Sequence, residues 1–239
     1  MSTLIVSLVI TAILAYLWGS LPAGYWMGKL LRGRKFDIRQ HGSHKIGAAN
    51  VQRILGTVPG LIVLFFDISK GVVPALLATF VPFFYGGSWG ILVAGLAALL
   101  GHCFPIFIGF RGGRGVMTEG GVFLVISPLL FALGIGTGVV TIGISRYVSL
   151  GSLIGNLVTL ACGIAFYVIG LAHPDFFARI SLPQMLYAVI APTFVAILHA
   201  DNITRLLKGT ERKIGKKTTT ESEPSTPESR HVDAVVEAE

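Results

Sequence analysis

The sequence predicts an all-α integral membrane protein: a bundle of about seven transmembrane helices, N-terminus outside and C-terminus cytoplasmic. Three observations carry this. Hydrophobic residues make up 53% of the 239 and charged residues only 13%. With a mean hydropathy of +0.74, that balance suits a bilayer rather than water. The charges are also segregated, since 1–28, 71–110, 120–145, 147–174 and 180–200 hold no Asp, Glu, Lys or Arg. Finally, a run of about 20 apolar residues crosses the hydrocarbon core as a helix, and these runs lack the period-2 alternation of a barrel strand, the other fold that satisfies its backbone in lipid.

The first block, 3–28, has no Lys or Arg before Lys29, so it reads as a span rather than a cleaved signal peptide. Further apolar blocks cover 54–84, 88–108, 116–145, 147–171 and 184–204. Block 116–145 decides the topology. Basic residues cluster at 29–53, at Arg111 and Arg114, at Arg146, and at 205–217. The positive-inside rule puts all four on the cytoplasmic side only if 116–145 is a helical pair broken at Ser127-Pro128. The outer loops are then 84–88, the Ser-Pro turn and 172–183. The first helix of the pair, 116–127, is short, at about 18 Å.

Gly19, Gly24, Gly28, Gly95 and Gly101 suit close helix packing. Asp67 and Lys70 lie three apart on one helix face and can pair. They serve either as a self-neutralising structural pair or as the lining of a polar cavity. Residues 218–239 are polar and acidic, with Pro224 and Pro227. They predict a disordered cytoplasmic tail and leave 1–217 as the membrane domain. Cys103 and Cys162 form neither a CxxC pair nor a His/Cys cluster, so no metal site and no disulfide framework is expected. The net charge of +7 is broken up by spans and accompanied by no nucleic-acid motif, so the expected partner is a lipid bilayer and not nucleic acid.

Four polar segments stand out against the apolar background. DIRQHGSHKIGAANVQRILG, 37–56, sets Gly42, Ser43, Gly47, Asn50 and Arg53 just before a helix. Small residues let backbone N–H groups approach an anion, and a helix N-terminus adds partial positive charge. FIGFRGGRGVMTEGG, 107–121, places Arg111 and Arg114 among Gly112, Gly113 and Gly115. Glycines permit a tight fold around a ligand, and arginines offer bidentate donors to phosphate oxygens. It is not a Walker A loop. SRYVSLGS, 145–152, carries Ser149 at a helix start, and 198–217 carries His199 and Asn202 where the last apolar helix emerges. Each segment alone also reads as a basic turn, a cap or a headgroup contact. On one face they suggest room for two phosphates. A transporter of a phosphorylated or anionic small molecule would use similar loops.

In order, GSLPAGYWMGKL, GSHKIGAANVQRILG, FFDISKG, GHCFPIFIGFRGGRGV, RYVSLGS and HADNITRLLKGTE resemble the bacterial acyl-phosphate:glycerol-3-phosphate acyltransferases. The resemblance covers roughly residues 15–217. It implies a seven-helix fold in the bacterial cell membrane with its active site at the cytoplasmic face. It implies transfer of a fatty acyl group from acyl phosphate to the sn-1 hydroxyl of glycerol 3-phosphate, giving lysophosphatidic acid and phosphate without a cofactor. It implicates Ser43, Asn50, Arg53, Arg114, Ser149, His199 and Asn202. Three positions depart from the common family pattern: Ser43-His44-Lys45 stands for Ser-Gly-Asn, Ala49 for Thr, and Arg114 for a frequent lysine. If the 42–47 loop binds phosphate through its backbone, His44 and Lys45 are expected to point outward.

Overall fold

In the computed structural model, residues 2–81 and 87–214 are described. Among them the secondary structure is wholly helical, with ten α-helices. Helix α1 (Ser2–Gly19) is followed by α2 (Ala23–Arg32), the break falling at Leu21-Pro22. The short α3 (Ala48–Leu55) leads into α4 (Thr57–Phe80) through Gly56, whose φ of 100° only glycine adopts cheaply. Then come α5 (Ser88–Cys103), α6 (Val116–Ile126), α7 (Pro128–Ser145), α8 (Val148–Ala172), α9 (Leu182–Leu198) and α10 (Ala200–Leu207).

The break at Ser127-Pro128 is where the sequence puts it. Ser127 caps α7 by accepting the Leu130 N–H at 3.4 Å, and Pro128 opens the helix, where its missing N–H costs nothing. The loops on either side of α6 and α7 border one cavity, through Arg114 and Val148. The two helices therefore leave and return to the same end of the bundle. Helix α9 starts with a capping box between Ser181 and Gln184 and meets α10 at a bend of 59° at His199.

Five helical stretches are long and apolar enough to cross a membrane, and a sixth if α9 and α10 count as one bent span. Helix α6, with 11 residues, is about 16 Å long, well short of the hydrocarbon core. Five or six full spans and this short helix make six or seven membrane segments; the count of about seven read from the sequence includes the short one. Of the expected outer loop at 84–88, residues 84–86 lie outside the described residues, as does the whole 218–239 tail.

Helix α5 sits centrally, packed on α1, α4 and α9. Its small residues allow this: a Cβ on Gly101 would stand 2.2 Å from the Tyr16 carbonyl oxygen, and one on Gly19 equally close to that of Ala98. Large apolar side chains face outward on α1 (Ile5, Val9, Ile13) and α7 (Val139, Val140, Ile144), as expected for a lipid-facing surface.

Candidate active site

All four polar segments gather at one end of the bundle. They surround a cavity of about 290 Å³. Ser43, Gly47, Asn50, Arg114, Gly115 and His199 border it, together with Lys45, Asp67, His102 and Ile214. One flank is apolar, supplied by Leu61 and Leu64 of α4, Val116 and Met117 of α6, and Ile142 of α7. The cavity thus has a cationic rim and a hydrophobic flank opening towards the helices.

The 41–47 loop is built around Asn50. Its Oδ1 accepts the Ser43 N–H at 2.8 Å, and its Nδ2 donates to the carbonyls of Lys45 (2.8 Å) and His41 (3.1 Å). Asn50 is 2% exposed and its amide is spent inside the loop. It shapes the site instead of offering its side chain to a ligand, and the Ser43 N–H is committed as well. Gly42 is required here: its φ is +59° and a Cβ would meet Asn50 Oδ1 at 2.2 Å. His44 also has a positive φ, 58°, a strained conformation for a side chain with a Cβ. Its ring is exposed, with Nδ1 3.0 Å from the Arg39 carbonyl. His44 points outward as expected. Lys45, also expected outward, borders the cavity instead.

In the glycine-rich loop the arginines separate. Arg111 is exposed, whereas Arg114 is partly buried on the cavity wall. The Arg114 Nε has no hydrogen-bond partner among the described residues. Burial, then the guanidinium of Arg205, lowers its pKa below the usual arginine value. An arginine nevertheless stays protonated at any physiological pH, so Arg114 is a partly buried cation on the cavity wall. Gly112 and Gly113 are buried but do not border the cavity. Their N–H groups donate to the carbonyls of Cys103 and His102 at 3.1 Å, and a Cβ on Gly113 would collide with the His102 ring. These two glycines let the loop pack on α5 and so aim Arg114.

Beneath the loop, Lys70 Nζ lies 2.7 Å from Asp67 Oδ1 and 3.2 Å from His102 Nδ1, all buried. The pair expected from spacing forms, and it also reaches the cavity, because Asp67 and His102 border it. His102 is a site residue that the sequence reading missed. Its signal was indirect: a buried Asp–Lys pair leaves polar capacity that a third group must satisfy.

On α9, His199 is 3% exposed, and its Nδ1 lies 2.8 Å from the Val195 carbonyl. That contact fixes the proton on Nδ1 in the neutral ring and leaves Nε2 as the acceptor. Ser149, in the first turn of α8, has a buried Oγ without a partner among the described residues, although Val148 and Ser152 form the nearby wall. Asn202 and Arg53 stand behind the wall. Asn202 Nδ2 donates to Glu211 Oε1 at 3.0 Å, and Arg205 Nε to Glu211 Oε2 at 2.8 Å. Arg53 is half-buried; desolvation first, then Arg212, lowers its pKa. The 209–214 segment is pinned over the site by the Ile214 N–H donating to the Arg146 carbonyl at 2.9 Å. Glu211 is the second residue missed, since a lone Glu in a basic run carries no signal until the chain folds back. Among the described residues no group of three His, Cys, Asp or Glu could hold a metal ion.

Comparison with known proteins places the chain in a family. Residues 9–209 match the family described as glycerol-3-phosphate acyltransferase. The glycerol-3-phosphate acyltransferase of Listeria monocytogenes is 42% identical over 214 residues, 87% of this chain and 98% of the relative. That of Thermoanaerobacter pseudethanolicus is 37% identical, covering 88% and 97%. Among solved structures, the glycerol 3-phosphate form of PlsY, an integral membrane glycerol 3-phosphate acyltransferase, superposes with a TM-score of 0.75 at 33% identity, covering 87% of this chain and 96% of the other. Its lysophosphatidic acid form gives 0.73 at 32%.

Proposed function

Because the chain belongs to the glycerol-3-phosphate acyltransferase family, we propose that it transfers a fatty acyl group from acyl phosphate to the sn-1 hydroxyl of glycerol 3-phosphate. The products are lysophosphatidic acid and inorganic phosphate. Work takes place at the cytoplasmic face of a bacterial inner membrane, in a catalytic body spanning residues 1–217. The observation that carries this reading is Arg114: a partly buried guanidinium whose Nε has no partner among the described residues, on the wall of a cavity with Lys45 on its rim and an apolar flank.

The chemistry matches such a cavity. Acyl phosphate is a mixed anhydride, so the acyl carbon is already activated and phosphate leaves readily. No covalent enzyme intermediate is needed, and catalysis reduces to positioning and charge stabilisation. In this reading Arg114 and Lys45 hold phosphate oxygens, and the Ser43 and Ser149 hydroxyls donate to them. Arg53 strengthens the positive potential from behind the wall. The acyl chain lies along Leu64, Met117 and Ile142. His199 Nε2 accepts the proton of the attacking glycerol hydroxyl, and Asn202 braces the turn that carries His199. The glycerol oxygen bonds to the acyl carbon, the acyl C–O bond to phosphate breaks, and the electron pair leaves with the phosphate.

The test is direct. Purified protein in detergent is mixed with palmitoyl phosphate and glycerol 3-phosphate and assayed for lysophosphatidic acid. Detergent abolishes compartments, so a transporter would form no product, and product absence would sink the proposal. Replacing palmitoyl phosphate with palmitoyl-CoA or palmitoyl-acyl carrier protein tests the donor; equal rates with a thioester would refute acyl phosphate as the specific donor.

A further inference from the structure

Asp67 has more capacity than its ion pair uses. Its side chain is 5% exposed and borders the cavity of about 290 Å³. Oδ1 accepts from Lys70 Nζ at 2.7 Å and stands 3.4 Å from His102 Nδ1. Oδ2 has no hydrogen-bond partner among the described residues. It is nevertheless not sealed from solvent, as both Glu119 oxygens and the Tyr187 hydroxyl are. The Asp67 carbonyl accepts from Thr118 Oγ1 at 3.0 Å, which ties this turn of α4 to α6. The His102 ring lies between Asp67 and the glycine-rich loop. Its Nδ1 faces Asp67 and Lys70, and its Nε2 edge packs on Gly113, next in the chain to Arg114. One imidazole therefore separates Asp67 from the loop that carries the guanidinium of the cavity.

The chemistry of Oδ2 restricts what can sit against it. With the Lys70 ammonium at 2.7 Å the carboxylate is ionised, and an ionised carboxylate only accepts. A phosphate oxygen is repelled by it and, once ionised, has no proton to give. An acyl chain has none either. The group that fits is a neutral hydroxyl, and a hydrogen bond to a charged acceptor is among the stronger ones. Glycerol 3-phosphate has two hydroxyls. In the proposed reaction the sn-1 hydroxyl gives its proton to His199 Nε2, which leaves the sn-2 hydroxyl for Asp67.

We propose that Asp67 Oδ2 accepts a hydrogen bond from the sn-2 hydroxyl of glycerol 3-phosphate and so selects the acceptor, while Lys70 holds the carboxylate ionised and in place. The inference rests on the acyltransferase reading of the cavity.

The experiment compares kcat/KM for glycerol 3-phosphate and 3-hydroxypropyl phosphate, which lacks only the sn-2 hydroxyl, with palmitoyl phosphate as donor. The wild-type protein is expected to favour glycerol 3-phosphate by about 30-fold, the scale of one hydrogen bond to a charged group. Asp67→Ala alone would strand Lys70 as an unpaired buried charge, so the pair is removed whole. Asp67→Leu combined with Lys70→Met should fold and should narrow the preference to about threefold or less, by losing rate on glycerol 3-phosphate. Asp67→Asn, which keeps an acceptor oxygen without the charge, should lose more on glycerol 3-phosphate than on the analogue, and it covers the case in which the double variant fails to fold. Equal use of both acceptors by the wild type overturns the assignment and leaves the acyltransferase reading standing. A folded double variant that keeps the full preference overturns it too, whether or not both rates fall, since the pair would then be purely structural. Equal losses on both acceptors in Asp67→Asn do the same. No product from either acceptor in the wild type removes the acyltransferase reading and this inference together.

Discussion

Removing the Arg114 side chain separates the cost of the site from its use. This guanidinium is partly buried, its Nε has no partner among the described residues, and burial followed by Arg205 disfavours its charged form. Its lowered pKa means that the charged group is less favourable folded than unfolded, at every pH at which it is protonated in both states. Arg114→Ala should therefore leave ligand-free stability unchanged or raise it by about 1 kcal/mol, the scale of one relieved unsatisfied group. For a chain of this length that is a rise in Tm of about 2–4 °C. Activity should move the other way. A charge-assisted contact to phosphate contributes about 2–3 kcal/mol, so the rate should fall roughly 30- to 150-fold. Arg114→Lys keeps the charge without the planar fork and should recover part of the loss. The assay pairs lysophosphatidic acid formation with thermal unfolding in detergent, with and without glycerol 3-phosphate. The stabilisation by ligand seen in the wild type should shrink or vanish in the variant. Turnover within threefold of wild type, or a clear drop in ligand-free Tm, would refute the assignment of Arg114 as an unpaired cation held for substrate.

Arg53→Ala, behind the wall, should cost about tenfold, near the effect of one weaker electrostatic contact; a loss equal to that of Arg114→Ala would place Arg53 against phosphate. Asn50→Ala removes the bonds to Ser43, Lys45 and His41 and should cost about 2–3 kcal/mol of stability as well as activity, read as a lower Tm together with slower turnover. Lys45→Asn should raise the KM for a phosphate-bearing substrate with kcat little changed, and an unaltered KM would show that Lys45 borders the cavity without contacting ligand. His44→Gly, which relieves a φ of 58° but gives up the contact of its Nδ1 with the Arg39 carbonyl, should leave stability within about 1 kcal/mol of wild type at unchanged kcat, as checked by thermal unfolding. Truncation after Lys217 should preserve insertion and turnover, and loss of either would assign the tail a place in the folded body.

The membrane class and the clustering of polar segments were legible because hydropathy and positive charge are one-dimensional signals. The α6–α7 break was legible too, since Ser127-Pro128 is both a cap and a helix start. What the sequence could not tell was which groups spend themselves on each other. Asn50 in a Gly/Ser loop looks like a ligand donor, yet all its capacity goes to Ser43, Lys45 and His41. Gly112 and Gly113 look like a phosphate cradle, yet they make room for His102. The shortness of α6 was legible as well, because the Ser127-Pro128 break leaves only 116–127 before it.

The same distinction explains how His44-Lys45 fits a loop that commonly carries Gly-Asn. A left-handed residue is tolerated at position 44 because its ring is exposed and the strain there, about 1–2 kcal/mol, can be offset by the contact of its Nδ1 with the Arg39 carbonyl. Position 45 borders the cavity, with the Lys45 carbonyl held by Asn50 Nδ2 at 2.8 Å. Lys45 forms no salt bridge among the described residues, where Asp67 is engaged by Lys70 and Glu211 by Arg205, so in the proposed site its partner is a substrate anion. A single test follows: Arg114→Ala and Lys45→Asn combined should cost less activity than the product of the two separate losses if both hold one phosphate, and the full product if they hold two.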